Sequence, residues 1–405
     1  MGKKVLIVVH AYYPSIGGTE HKIRKIANYL KKHFKVKIFT TNVPTPHAFV
    51  NLNIPLLKKR KVKIDNIEVI RFNVIRFFPK ILYKIGSLLY HKKLPLNDFF
   101  RCIFTGPILP SIIPSILKEK PDIVISASLP FLTLYYCAIA RVFMKFKFVV
   151  IPCVHPFDKW CFDRESIKFV FNKADKIWVN SEFEKNYIVS RWKIKKEKIA
   201  ILGDFVNLSK FATKEDLKKR FGIKQEKVVG FIARHEKEKG IFTLLTAMKE
   251  VWKKMPSVKL IIAGKTTPHT KFLEKEIEKM PFNLKKNIIK IYDFKDKLKP
   301  LIFNTCDIVV LPSSVESFGI VYLEAWSCSK PVIACNVEPV NQIVTPKEGI
   351  LVPPDNSKIL ADAILKLLQD DKLRAELGNN GRKKVERFYS EKAFIEKMKT
   401  LINTL

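Results

Sequence analysis

Short apolar runs alternate with amphipathic helical segments along most of this chain, and that alternation leaves few architectures open. In the first half Val5–Val9, Val36–Thr40, Ile123–Ser126, Phe146–Ile151 and Ile177–Asn180 read as buried strands. Thr19–Lys32 and Glu182–Trp192 carry the helical period, with Ile23, Ile26, Ala27 and Leu30 on one face of the first. The second half repeats the scheme. Its strands are Val228–Ile232, Lys259–Ala263, Ile288–Tyr292, Asp307–Leu311 and Val332–Cys335, and its helices Ile241–Lys254, Lys271–Met280, Ser357–Gln369 and Lys372–Arg387. Alternation of this kind implies parallel strands covered by helices on both faces. With 405 residues, 47% of them hydrophobic, two such domains are expected. The apolar period lapses near Gly203–Phe211. The expectation is therefore an α/β chain of two doubly wound Rossmann-like domains facing a cleft, spanning 1–207 and 208–387, with a C-terminal helix at 388–405 joining the first.

Ile123–Ala140 runs 18 residues without a charge. Pro130 interrupts it and Ser126, Ser128 and Thr133 dilute it, so it reads as a strand, a loop and a buried helix from about Phe131 rather than a membrane span. The N-terminus passes from Lys3-Lys4 into Val5–Val9, which suits a first strand better than a secretory leader. The seven cysteines form no C-x-x-C pair and sit mostly in apolar runs. They read as buried thiols of a reducing, cytoplasmic compartment, with neither a disulfide frame nor a zinc site.

Lys and Arg number 74 against 38 Asp and Glu, a formal charge of +36. Such an imbalance points to an anionic partner or surface. Residues 58–104 break the strand–helix alternation. There Arg71, Arg76, Lys80, Lys84, His91, Lys92 and Lys93 interleave with Phe72, Phe77, Phe78, Leu82, Tyr83, Leu88, Leu89 and Tyr90. One reading is an element lying on an anionic membrane surface. The other is an ordinary strand and core helix with solvated lysines. The lysines are spread along the whole chain and no nucleic-acid module is recognisable, so no nucleic-acid partner is expected.

The stretch Glu316-Ser-Phe-Gly-Ile-Val-Tyr-Leu-Glu324 follows the strand Asp307–Leu311, with Pro312, Ser313 and Ser314 as its breaker. Glu316 is placed in a loop at the carboxyl end of a strand, and Glu324 about a turn into a helix that starts near Gly319. Open α/β sheets bind ligands at such loops, and a helix start offers free amides to an anion. Carboxylates beside it accept hydrogen bonds from hydroxyls. A nucleotide sugar carries both phosphate and hydroxyls.

In this setting, Pro312-Ser-Ser-Val-Glu316-Ser-Phe318-Gly319 with Glu324 resembles the Glu-x7-Glu motif of the retaining GT-B glycosyltransferases, in the large family that includes glycogen synthase and the phosphatidylinositol mannosyltransferases. Other segments agree in order. Pro14-Ser-Ile-Gly17-Gly18 resembles the N-terminal glycine loop. His155 stands at the family's histidine position, and Ala174–Ser181, with Asp175 and Ser181, resembles a strand of that domain. Arg234 and Lys239 match its Arg-x4-Lys pair, and Gly349–Pro353 its closing turn and strand. Two features depart: Cys335–Asn341 lacks the usual glycines before Glu338, and the hinge reads Gly203-Asp-Phe-Val-Asn207.

The resemblance implies a transferase moving a sugar from a nucleotide diphosphate sugar to an acceptor hydroxyl with retained anomeric configuration and no metal or other cofactor. Glu316 and His155 then act on the sugar. Arg234 and Lys239 hold the diphosphate, Glu324 the ribose, and Phe318, Gly319, Gly17 and Gly18 complete the donor contacts. The expected acceptor is a glycan or a lipid-linked sugar, and on the membrane reading of the basic aromatic segment the cytoplasmic enzyme is peripheral on the inner face of the cell membrane. Plain structural readings stand beside these: a helix-capping Glu316, a solvated Glu324, a surface ion-pair cluster around Arg234 and Lys239, a loop histidine, a glycine turn. Two further readings stay open, a sugar-nucleotide epimerase of the same fold and a basic nucleic-acid-binding protein.

Overall fold

The structure, a computed structural model, describes residues 2–15, 17–76 and 79–405. It divides into two compact units, one of Met1–Gly203 with Met398–Leu405 and one of Asp204–Lys397. The division falls at the start of the apolar lapse, for a local reason. Val206 donates its amide to the Tyr389 carbonyl at 2.9 Å and Phe205 packs on Phe394 with ring centroids 4.3 Å apart, so the start of the segment belongs with the second core. For the same reason only residues from Met398 onward group with the first unit.

The described residues of the first unit form eight strands: β1 Lys4–Val9, β2 Lys35–Thr41, β3 Lys61–Ile64, β4 Ile67–Phe72, β5 Ile123–Ala127, β6 Lys147–Ile151, β7 Lys176–Val179 and β8 Ile199–Ile201. Their order is β3-β4-β2-β1-β5-β6-β7-β8. The sheet is parallel except at β3, which pairs antiparallel with β4. That hairpin departs from the all-parallel expectation. Its turn is Asp65–Asn66, both with positive φ, a conformation these two residue types tolerate. The Asp65 carboxylate takes the Arg24 guanidinium at 2.6 and 2.7 Å and Asn28 at 2.8 Å, which ties the hairpin to the helix Gly18–Leu30. Ile23, Ile26, Ala27 and Leu30 of that helix are buried, as their spacing predicts.

The 18-residue neutral stretch is β5 followed by the helix Leu132–Phe143, and among the described residues no helix is long and apolar enough to cross a membrane. The basic aromatic segment is split by the fold. Arg71 and Phe72 are buried at the end of β4, with the Arg71 guanidinium donating to the carbonyls of Lys59 and Tyr13. Arg76 is half-buried and donates to the carbonyls of Ala48 and Ile54. These three residues hold loops and core together, so they correct the reading of a surface element starting at residue 71. Phe77 and Phe78 lie outside the described residues. The helix Pro79–His91 leaves Ile81, Tyr83 and Leu88 exposed beside Lys80 and Lys84 and packs on the helix Asn97–Thr105.

The second unit has six parallel strands: β9 Val228–Ile232, β10 Lys259–Gly264, β11 Ile288–Tyr292, β12 Ile308–Leu311, β13 Val332–Cys335 and β14 Gly349–Val352, in the order β11-β10-β9-β12-β13-β14. Chain direction along the sheet reverses between β9 and β12, which are paired at Val309 and Gly230. The helices Ile241–Lys254 and Ser357–Gln369 pack together on this sheet. The expected helix Lys372–Arg387 ends its regular part at Lys384 and continues as a wider turn over Val385–Tyr389. All seven cysteines are free. Cys102, Cys137, Cys306 and Cys335 are buried, whereas Cys153, Cys161 and Cys328 are only half-buried. Burial pushes the thiols of Cys137, Cys306 and Cys335 up to about 12, so none is a thiolate near neutrality.

Candidate active site

In the second unit the strand order reverses between β9 and β12, and it is at such a switch point that doubly wound sheets accept ligands. The loop after β9 carries Arg234 and Lys239 and ends at Gly240. Gly240 has φ +75°, and a Cβ there would run into the Pro312 carbonyl of the neighbouring loop. The two loops are further stitched by the Ser314 amide, which donates to the Glu238 carbonyl at 2.9 Å. That close approach delivers Lys239 to Glu316. Its ammonium donates to Glu316 Oε1 at 2.6 Å, and their side chains are 19% and 9% exposed.

Gly319, at φ +91°, precedes the helix Ile320–Ser327 and lets the Tyr322 ring lie against the backbone. Tyr322 donates its hydroxyl to the Leu311 carbonyl at 3.2 Å, which fixes the helix to the end of β12. Phe318 is buried, its ring edge-on to Tyr389. The helix is buried on almost every side, including at Glu324. Glu324 Oε1 accepts from the Lys299 ammonium at 2.5 Å, while Oε2 is buried with no hydrogen-bond partner. Burial raises the Glu324 pKa, with Lys299 opposing that rise. An orphaned carboxylate oxygen in the protein interior is costly unless something donates to it.

Arg234 is different. Its side chain is 64% exposed and its nearest carboxylate, Glu236, is 3.9 Å away. Beneath it His235 is buried, held by Thr270 at 3.1 Å on Nδ1 and by the edge of Tyr292. Desolvation lowers its pKa, so the ring is neutral and acts as a rigid seat for the loop. The structure thus brings Lys239 and Glu316 into contact and pairs Glu324 with Lys299. Glu338 sits in the loop after β13, where its Oε2 has no partner.

In the first unit Gly17 and Gly18 open the helix Gly18–Leu30 after β1. The backbone at Gly17 lies over the Glu20 carboxylate, which a Cβ would strike. Glu20 accepts from the Ser15 hydroxyl at 3.1 Å and lies 3.7 Å from His10 Nε2. His10 is stacked on Phe131 with ring centroids 3.8 Å apart, and burial lowers its pKa to about 3. His155 is exposed in the loop after β6, its ring 5.4 Å from Phe162.

Three residues that pattern reading passed over organise these loops. Glu184 accepts from the Val154 amide at 2.6 Å and the Asn180 amide at 2.7 Å, and so fixes the backbone next to His155. Burial raises its pKa to about 7. The buried Lys22 ammonium donates to Asn180 Oδ1 at 2.5 Å and to the Gly203 carbonyl at 3.0 Å. Lys299, the partner of Glu324, is the third. Lys22, Lys299 and Glu184 lie on helices where charged residues normally face water, and no spacing rule marks them out.

The profile for glycosyl transferases group 1 matches residues 213–384, and that for glycosyltransferase family 4 matches residues 16–210. The chain belongs to the family 4, group 1 glycosyltransferases. Among relatives in this family, the capsular polysaccharide biosynthesis glycosyltransferase CapM of Staphylococcus aureus is 29% identical over 232 residues, 55% of this chain and 60% of CapM. The chain spans between 43% and 60% of the length of three such curated relatives that it matches. The sucrose-phosphate synthase structure from Thermosynechococcus elongatus aligns with a TM-score of 0.74 at 20% identity, covering 99% of this chain and 98% of that one. The structure of Anabaena HepE in complex with UDP aligns with a TM-score of 0.76 at 18% identity, covering 99% and 100%. These likenesses establish the GT-B fold class.

Proposed function

We propose that the protein transfers a sugar from a nucleotide diphosphate sugar to an acceptor hydroxyl, with retention at the anomeric carbon and without a metal. The observation that carries this reading is the contact of Lys239 with Glu316 at the end of β9 and β12. A diphosphate arriving there competes with Glu316 for the Lys239 ammonium, and the exposed Arg234 is free to swing to the same anion. Glu316, relieved of its cation, accepts hydrogen bonds from sugar hydroxyls. The amides after Phe318 and Gly319 meet charge on the phosphate that leaves. The orphaned Glu324 Oε2 takes a ribose hydroxyl, which supplies the donor it lacks. The leaving phosphate accepts the acceptor's proton on the face from which it departs, so no covalent intermediate on the protein is required.

The relatives support the class of chemistry: HepE has been crystallised with UDP, and CapM is a glycosyltransferase of capsular polysaccharide biosynthesis. Incubation with a panel of nucleotide sugars and candidate acceptors, followed by NMR of the anomeric proton, tests the reading. Transfer with an inverted anomer removes the retaining mechanism, activity abolished by EDTA and restored by a divalent ion removes metal independence, and product formed from donor alone identifies an epimerase instead.

The acceptor in this proposal is a glycan or a lipid-linked sugar at a membrane surface. Support comes from the helix Pro79–His91, where exposed Ile81, Tyr83 and Leu88 stand among exposed Lys80 and Lys84, with Lys92 and Lys93 just beyond. Apolar anchors ringed by cations suit anionic headgroups. Flotation with anionic liposomes at low salt is the test, and absence of binding there would remove the membrane from the proposal.

A further inference from the structure

The amino-terminal edge of the first sheet, opposite the loops of Gly17, Gly18 and His155, holds a depression of about 750 Å³. It lies where β5, β6 and β7 begin: Asp122 precedes β5, Lys147 opens β6 and Asp175 precedes β7. Five cations line it, Arg141, Lys145, Lys147, Lys173 and Lys198. Its two carboxylates are already committed to the fold. Asp122 accepts from the Lys4 amide at 2.7 Å, and Asp175 accepts from Arg141 at 2.9 Å and from the Phe148 amide at 2.7 Å.

Two of the cations are likewise accounted for. Arg141 is paired with Asp175, and Lys198 donates to the carbonyls of Asn172 and Ala174 at 3.0 Å each, closing the end of the helix Ser166–Lys173. Lys145, Lys147 and Lys173 are left. Among the described residues none of the three pairs with a carboxylate, and Lys173 has only the Phe169 ring, 5.9 Å away. Burial lowers the Lys198 pKa, with Asp175 opposing that and Arg141 and Lys195 adding to it.

We propose that this depression binds a small soluble phosphate anion carrying two or more charges, of the pyrophosphate class, at a site distinct from the Lys239–Glu316 loops. Three lysines lining one depression concentrate anions, and their ammonium groups meet phosphate oxygens as point charges. The volume falls within the range of small-ligand sites. The inference is independent of the transferase reading, because its residues are all at the other edge of the other sheet.

Isothermal titration of the full chain with inorganic pyrophosphate at low salt tests it. The background is Arg234→Ala with Lys239→Met, which removes the other cation pair suited to a diphosphate. The expected result is saturable one-to-one binding that weakens at least tenfold in Lys145→Ala/Lys147→Ala. Lys173→Ala gives an independent second reading. Lys80→Ala/Lys84→Ala, which removes equal charge from the helix Pro79–His91, leaves the binding unchanged. Absence of saturable binding overturns the proposal. So does equal loss in the Lys80/Lys84 variant, which means diffuse attraction to a basic protein.

Discussion

Lys239 donates to Glu316 across 2.6 Å, although 77 residues separate them along the chain. Both side chains are largely shielded, so each is the other's main compensation for burial. Glu316→Gln and Lys239→Met are each expected to lower kcat for transfer by on the order of 10²–10³. The double variant is expected to lose little more than either single one, because the two act as a unit. Steady-state kinetics on the four proteins decides it, and strictly additive losses would show that the pair does not work together.

Glu324 is a test of the ribose contact. Glu324→Gln keeps the size of the side chain and removes the charge facing Lys299. Nucleotide affinity is expected to fall about tenfold or more, close to 1.4 kcal/mol. Titration with the free nucleoside diphosphate measures this. Unchanged affinity in a folded variant would detach Glu324 from the nucleotide.

Gly240 joins stability to the site. Gly240→Ala forces a side chain into the Pro312 carbonyl at a backbone conformation with φ +75°. A destabilisation of about 2–4 kcal/mol is expected. The denaturant midpoint of the second unit reports it. Lys239 is the adjacent residue, so activity is expected to fall further than the unfolded fraction explains.

Acid sensitivity should trace to His10. Its folded pKa of about 3 lies below the ordinary 6.5, so between these values the unfolded chain binds a proton that the native ring refuses. Stability from this source is present above pH 6.5 and is lost as pH falls toward 3, by up to roughly 5 kcal/mol. Glu184, raised to about 7, works in the opposite direction between pH 4.5 and 7, where the folded state holds the extra proton. The two slopes oppose each other down to pH 4.5; below it only His10 of the two still acts, and Asp65, held well below the usual carboxylate range by the Arg24 guanidinium, adds a loss of the same sign. His10→Gln is expected to flatten the decline of stability below pH 4.5. Chemical denaturation at several pH values checks this, and an unaltered slope would place the acid sensitivity elsewhere.

Much of the strand and helix pattern was legible because burial enforces period. Glu182–Trp192 and Ile241–Lys254 stand where their apolar spacing puts them. The β3–β4 hairpin escaped because Lys61–Ile64 is a short edge strand with alternating exposed lysines, which reads as loop. Arg71 looked like a surface cation in sequence. It is buried because two backbone carbonyls satisfy its guanidinium, and no local pattern announces distant carbonyls.

By itself the sequence determined which segments are buried strands and which loops leave their carboxyl ends, because hydrophobic period and chain breakers are local properties. It also marked Glu316, Arg234 and Lys239 as residues on such loops and Glu324 as a residue of the helix that follows. Only the tertiary structure decided that β9 lies beside β12, and hence that Lys239 meets Glu316 while Glu324 turns to Lys299. Strand order is set by the packing of whole helices over whole sheets. A contact between charges 77 residues apart is a property of that packing and of no window along the chain.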